Sequence, residues 1–292
     1  MNMGSVIGAG VRVAREQPRA VAIWTAIYIA LLLPFGLLIL PSLQATMAGN
    51  VAGLDPMAAI GHMGGLLLYY IVLMAMLLVL NNAAYRAVLR PRDSRYAYLR
   101  VGMDELRILG LGIAVFLVFF LILLLLSIAF GLGGGIGLFG SGTAPSGRGA
   151  AWAIVIGVGL YILAVFVSVR LALAFPLTVL RRRIVIGEAW RRSRGNFWAL
   201  FGAFLVIFLI YSLVSTLLTL ITGGGTMATL FSIESMDRSR DMAAISPALL
   251  VPQLIASGIS GMLWVLLSGC GLAMAARQLS GEDDEELSRI WA

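Results

Sequence analysis

The chain has 292 residues, 60% of them apolar and only 12% charged, whereas an ordinary soluble domain has about 45–50% apolar and about 25% charged residues. Its formal charge of +7 comes from arginine without a single lysine, in short clusters between long apolar runs, a pattern that argues against nucleic acid and for orientation in a membrane. One cysteine, Cys270, and one histidine, His62, exclude an intrachain disulfide, a cysteine metal site and a two-histidine acid and base mechanism.

The leader carries Arg12, Arg15 and Arg19 and enters the first of six apolar stretches without a carboxylate, each long enough to cross a hydrocarbon core about 30 Å thick. Spans are predicted at 20–40, 60–80, 108–130, 151–171, 199–221 and 247–273. The first is too long for the core of a secretion signal, ends at Pro41 and lacks a small-x-small cleavage site, so it reads as an uncleaved span. Residues 81–89 and 172–180 stay largely apolar, and predict that the second and fourth helices run past the bilayer or tilt in it.

The joining segments alternate in charge. Seventeen arginines fall on the side of the leader, of residues 86–107 and 181–194, and of the C-terminal tail; three, Arg148, Arg238 and Arg240, fall on the other. The positive-inside rule then predicts a bacterial inner-membrane protein with both termini in the cytoplasm. Residues 131–149 hold nine glycines and a literal G-x-G-x-x-G at Gly135, Gly137 and Gly140. Lacking a preceding strand and a following helix with a later acidic residue, it reads as an outer connection and not a nucleotide loop. Residues 223–246 read as a second solvated outer loop, and residues 282–286, five consecutive carboxylates, as a solvated end or a contact arm.

Two inner segments have helical amphipathicity and lead into spans. In the first, Leu99, Met103 and Leu106 share a face while Arg100, Asp104 and Arg107 take another; in the second, Ile186, Trp190 and Phe197 form a stripe and Glu188 and Arg192 have the spacing of a helical ion pair. Such helices belong in the headgroup zone. The leader aligns with the second without gaps, Val6, Ile7, Gly8, Arg12 and Arg15 against Val185, Ile186, Gly187, Arg191 and Arg194. Half that offset falls near Val101 and Gly102, so the single membrane domain, 1–292, divides into three parallel units at 1–92, 93–181 and 182–280, each an interfacial helix with a two-span hairpin, before an acidic cytoplasmic tail at 281–292.

From Arg170 the sequence reads R-L-A-L-A-F-P-L-T-V-L and then R-R-R-I-V-I-G-E-A-W-R-R-S-R-G-N-F-W. Through Arg170, Pro176, Ala189, Ser193, Gly195 and Trp198 it resembles the membrane domain of some bacterial glycerophosphoryl diester phosphodiesterases and of related stand-alone inner-membrane proteins of unknown function. The resemblance covers about 30 residues, with looser support from the six-span layout. It implies that phosphodiesterase chemistry belongs to a separate soluble domain, which is not expected in this chain, so it speaks to fold and location and not to activity.

Arg170 is the one charged residue deep in a span, about 16 Å along the helix from the Arg181 cluster at 1.5 Å per residue. A charge there costs about 2.5–3.5 kcal/mol on insertion scales and calls for polar company or a route to the interface. Two roles are open: snorkelling or hydrogen bonding within the bundle, or binding an anionic headgroup or substrate, with Asn81 and Asn82 at comparable depth and Pro176 loosening the helix. His62 reads as an interfacial side chain or a pH-sensitive group; Gly61 with Gly65, and Ser257 with Gly261, read as close-packing pairs. No serine elbow, H-E-x-x-H, Walker lysine or paired intramembrane carboxylates occur.

The expectation is therefore an all-α membrane protein of six transmembrane helices with amphipathic interfacial helices, non-enzymatic and without metal or cofactor. Its arginine-rich inner face would bind anionic lipid, or a membrane protein partner, through Arg12, Arg15, Arg100, Arg107, Arg191, Arg194, Trp190 and Trp198. The alternative is a transporter or lipid-handling protein with an intramembrane site near Arg170.

Overall fold

The computed structural model describes residues 2–47, 56–91, 95–99, 102–132, 147–231 and 247–281. Among them there is no strand; the order is α1 (Met3–Glu16), α2 (Pro18–Met47), α3 (Pro56–Leu89), a 3-10 turn (Arg95–Tyr98), α4 (Met103–Leu132), α5 (Gly147–Ala172), α6 (Ala174–Arg181), α7 (Ile186–Ser193), α8 (Phe197–Phe231), α9 (Pro247–Trp264), a π-turn (Val265–Gly269) and α10 (Cys270–Ser280). Five stretches, Leu67–Leu89, Met103–Leu125, Val155–Arg181, Phe197–Thr222 and Val251–Ser280, are long and apolar enough to cross a membrane, and the bent pair of α1 with Pro18–Pro34 makes a sixth candidate. Their surfaces carry Phe116, Leu213 and Leu220 exposed, an inversion of the soluble pattern that suits lipid as the solvent. The chain is a multi-pass membrane protein of all-α class.

Local chemistry explains most boundaries. Asn2 caps α1 by accepting from the Ser5 amide at 3.4 Å, and Pro18, which disfavours helical backbone at Gln17, separates α1 from α2 at a 95° bend. Val6, Ala9, Gly10 and Val13 are the buried stripe of α1, leaving Arg12 and Arg15 exposed. The first span does not stop before Pro41: α2 continues to Met47, because intramembrane helices tolerate proline where neighbours satisfy the backbone. Pro176 lacks an amide proton and crowds the carbonyl of Ala172, which accounts for the break between α5 and α6 at Leu173. Gly195, at φ +93°, provides the left-handed residue between α7 and α8.

The amphipathic segment around Leu99 is divided. Ala97 and Tyr98 have φ of 53° and 63°, so the 3-10 turn cannot continue into a helix, and the stripe of Leu99, Met103 and Leu106 does not lie along one element. The helix starts afresh at Met103, where the Gly102 amide donates to Glu105 Oε2 at 2.8 Å, half of a capping box. Asp104 pairs with Arg107 at 3.0 Å.

Two compact units result. One comprises Gly102–Phe201 with Ala275–Ala292, the other Asn2–Val101 with Gly202–Met274. In the first, α4 packs on α5 and α6, and α7 on α5 and α6. In the second, α9 lies along α2, and the π-turn packs on α1 and α3. There Gly258 and Gly261 face Ile29 and Tyr28 so closely that an added Cβ would come within 2.6 Å and 2.7 Å. Of the expected pair only Gly261 serves this contact: Ser257 is exposed and donates to the Gln253 carbonyl of its own helix at 2.8 Å. Gly65, expected to pack, has nothing within 4 Å of where its Cβ would stand.

Candidate functional site: an arginine held between aromatic rings

In the first unit, α5 ends at Ala172 with Arg170 in its last turn. Phe166, four residues earlier and on the same helical face, brings its ring centroid to 4.6 Å from the Arg170 guanidinium carbon. Trp190 of α7 supplies a second ring at 4.8 Å. The two rings meet edge to face, 6.2 Å apart at 85°, and Phe197 closes on Phe166 at 5.1 Å. Trp190 and Phe197 are thus the part of the predicted α7 stripe that converges on one partner. Ile186 lies apart on the exposed surface.

The chain must reverse to make this contact, and Arg182 does so by adopting a left-handed backbone at φ 53°. The 16 Å path from Arg181 to Arg170 follows the helix axis, whereas α7 returns beside it. Ala189 and Ser193 are fully buried, and their small size lets α7 settle on α5 and α6. Ser193 donates to the Trp190 carbonyl at 2.9 Å. Glu188 accepts from Arg192 at 2.8 Å, the predicted i, i+4 pair, and lies 3.6 Å from Arg181. The other arm of Arg192 donates to the Leu279 carbonyl at 2.6 Å, tying α7 to the end of α10.

Arg170 therefore keeps aromatic company, in place of the polar company that was one of its two expected accommodations. Its Nε makes no hydrogen bond among the described residues, and ring faces hold the charge without consuming a donor. Arg182, Arg183, Arg191 and Arg194 are exposed around α7, as is Trp198, at 78%. A guanidinium stacked between two aromatic rings keeps N–H donors of the kind that can pair with oxyanions.

The remaining expected residues are distributed elsewhere. Asn81 and Asn82 belong to the second unit, not to that of Arg170; Asn81 donates to the Leu77 carbonyl of its own helix at 2.8 Å and Asn82 is fully buried. Cys270 is buried, with its thiol 3.9 Å from the Ala84 carbonyl. Arg100, residues 133–146, residues 232–246, residues 282–286 and the side chain of His62 lie outside the described residues.

Sequence reasoning passed over a second polar assembly. Trp24 Nε1 donates to the Ala97 carbonyl at 2.7 Å, Arg86 to the Tyr98 carbonyl at 3.3 Å, and Gln17 to the Tyr98 hydroxyl at 2.5 Å. Tyr98 in turn donates to the Pro91 carbonyl at 2.9 Å. Phe166 was legible as an i, i+4 neighbour of Arg170; the contacts of Trp24 and Gln17, 73 and 81 residues away in sequence, have no local signature. No family model matches this chain, nor does any curated protein or solved structure.

Proposed function

We propose that this protein is a non-enzymatic bacterial inner-membrane protein that binds anionic phospholipid headgroups through the Arg170 platform and the exposed arginines of α7. The observation that carries the reading is the guanidinium held by Phe166 and Trp190 beside the exposed arginines of α7. Each arginine near an anionic leaflet contributes about 1 kcal/mol of attraction, and a guanidinium can meet phosphate oxygens through paired N–H donors. The similarity to the membrane domain of glycerophosphoryl diester phosphodiesterases is part of the same proposal, since the motif residues Pro176, Ala189, Ser193 and Gly195 are those that shape the platform's support.

Native mass spectrometry of the detergent-extracted protein tests this. Wild type should retain phosphatidylglycerol or cardiolipin, and Arg170→Leu should lose about tenfold in retention, the equivalent of about 1.4 kcal/mol. Arg170→Lys should fall between, because a compact ammonium keeps the charge without the planar stacking. Equal retention by all three forms overturns the assignment. A retained protein with no lipid would favour a protein partner on the same face.

The proposed orientation follows from the 17-to-3 distribution of arginine. A phosphatase reporter fused after residue 292 should be inactive and a cytoplasmic fluorescent reporter bright. The reverse pair of results overturns the topology.

A further inference from the structure

Besides contacting Arg170, α7 is fastened to the end of the last helix. Arg192 donates to the Leu279 carbonyl at 2.6 Å, and Gly281, at φ +67°, turns the chain out of α10. The next five residues in sequence are Glu282, Asp283, Asp284, Glu285 and Glu286. On α7 and the turn before it, Arg182, Arg183, Arg191 and Arg194 are exposed. Glu188, the one carboxylate of α7, is already engaged by Arg192 and Arg181.

We infer that the basic face of α7 is the docking surface for the acidic run 282–286, which competes there with anionic headgroups. Charge complementarity and tether length carry the inference. The run begins three residues after the carbonyl that Arg192 holds, and an extended chain covers about 3.3–3.6 Å per residue. Its first carboxylate is thus tethered within about 11 Å of the anchor and its last within about 25 Å, a reach that covers the whole of α7, about 12 Å long. Such a short tether gives an effective concentration in the millimolar range or above. Even weak, salt-screened pairing is then enough to occupy the arginines when the lipid surface is poor in anions. As that surface becomes richer, headgroups displace the run, and occupancy acquires a threshold in anionic lipid content.

The inference rests on the headgroup reading, and the experiment separates the two. In one arm the five carboxylates are neutralised (Glu282→Gln, Asp283→Asn, Asp284→Asn, Glu285→Gln, Glu286→Gln) in the full chain. Phosphatidylglycerol retention at low salt should rise about five- to tenfold, and the gain should vanish in high salt. Adding Arg191→Gln and Arg194→Gln should abolish that gain. If those two substitutions leave retention unchanged in both backgrounds, the headgroup reading fails at α7; if they lower it while neutralisation changes nothing, competition by the acidic run fails alone.

A second arm needs no lipid. Gly187 is exposed on α7, one turn before Arg191, with nothing within 4 Å of its Cβ position. Gly187→Cys combined with Ser288→Cys, in a chain whose natural cysteine is buried, should cross-link readily on mild oxidation. Yield should fall severalfold in high salt or on neutralisation of residues 282–286. A yield indifferent to both overturns the docking.

Discussion

Gly10→Val is expected to lower the thermal midpoint of the detergent-solubilised protein by about 5–10 °C, while Gly8→Ala on the same helix leaves it unchanged or slightly raised. A Cβ at Gly10 would stand 2.8 Å from the Leu266 carbonyl oxygen and 3.2 Å from the Leu267 Cα. Both neighbours are backbone atoms of the buried π-turn, so no side-chain rotation can make room. Overpacking of this kind costs about 1–3 kcal/mol, and each kcal/mol moves the midpoint of a chain this size by roughly 2–4 °C. The Cβ position of Gly8 has nothing within 4 Å, and replacing a helical glycine by alanine there gains about 0.5–1 kcal/mol. Thermal shift followed by loss of soluble protein measures both; equal midpoints for wild type and Gly10→Val would show that α1 does not sit on the π-turn.

Trp24→Ala should be more damaging still, at about 3–5 kcal/mol, since Trp24 is fully buried and packs edge to face on Tyr98 at 6.5 Å. It also holds the Ala97 carbonyl, and so supports two successive left-handed residues that lack a glycine's freedom and each cost about 1 kcal/mol or more. Trp24→Phe retains a ring but not the indole N–H, and should cost only about 1–2 kcal/mol by comparison. Limited trypsin digestion gives an independent reading. Cleavage at Arg90 or Arg95 should accelerate strongly in the alanine variant and modestly in the phenylalanine one; unchanged cleavage in both would remove the turn's dependence on Trp24.

The spans were readable because lipid imposes a length and a composition that survive without any knowledge of contacts, and five of the predicted stretches fall within helices that qualify as crossing segments. The Glu188–Arg192 pair was readable because i, i+4 spacing fixes proximity by itself. Arg170 drew notice as a lone charge in an apolar run, yet its partner Trp190 depends on a reversal at Arg182, a non-glycine residue with no turn signature of its own. The same limit hid the Trp24 and Arg86 contacts, which join helices to a turn far along the chain. Glycine spacing was a weak guide for a related reason: Gly65 and Gly261 look alike in sequence, and only a neighbouring helix decides which of them needs to be small.

In the last membrane segment, the π-turn Val265–Gly269 separates α9 from α10. A π-turn accommodates one residue more than regular α-helical winding would, and one residue corresponds to a rotation of about 100° around the helix axis. The segment is therefore two α-helical registers spliced about 100° out of phase with a continuous α-helix of the same sequence: Gly258 and Gly261 meet Ile29 and Tyr28 of α2, while Cys270 beyond the π-turn meets Ala84 of α3. Winding the same residues as a regular α-helix would turn those just beyond Gly269, Cys270 and Ala273 among them, through about 100°, whereas removing one residue between Val265 and Gly269 would straighten the winding and leave their azimuth in place. The surplus residue is thereby absorbed in the width of one turn, and the faces on either side of it keep the azimuths their neighbours require.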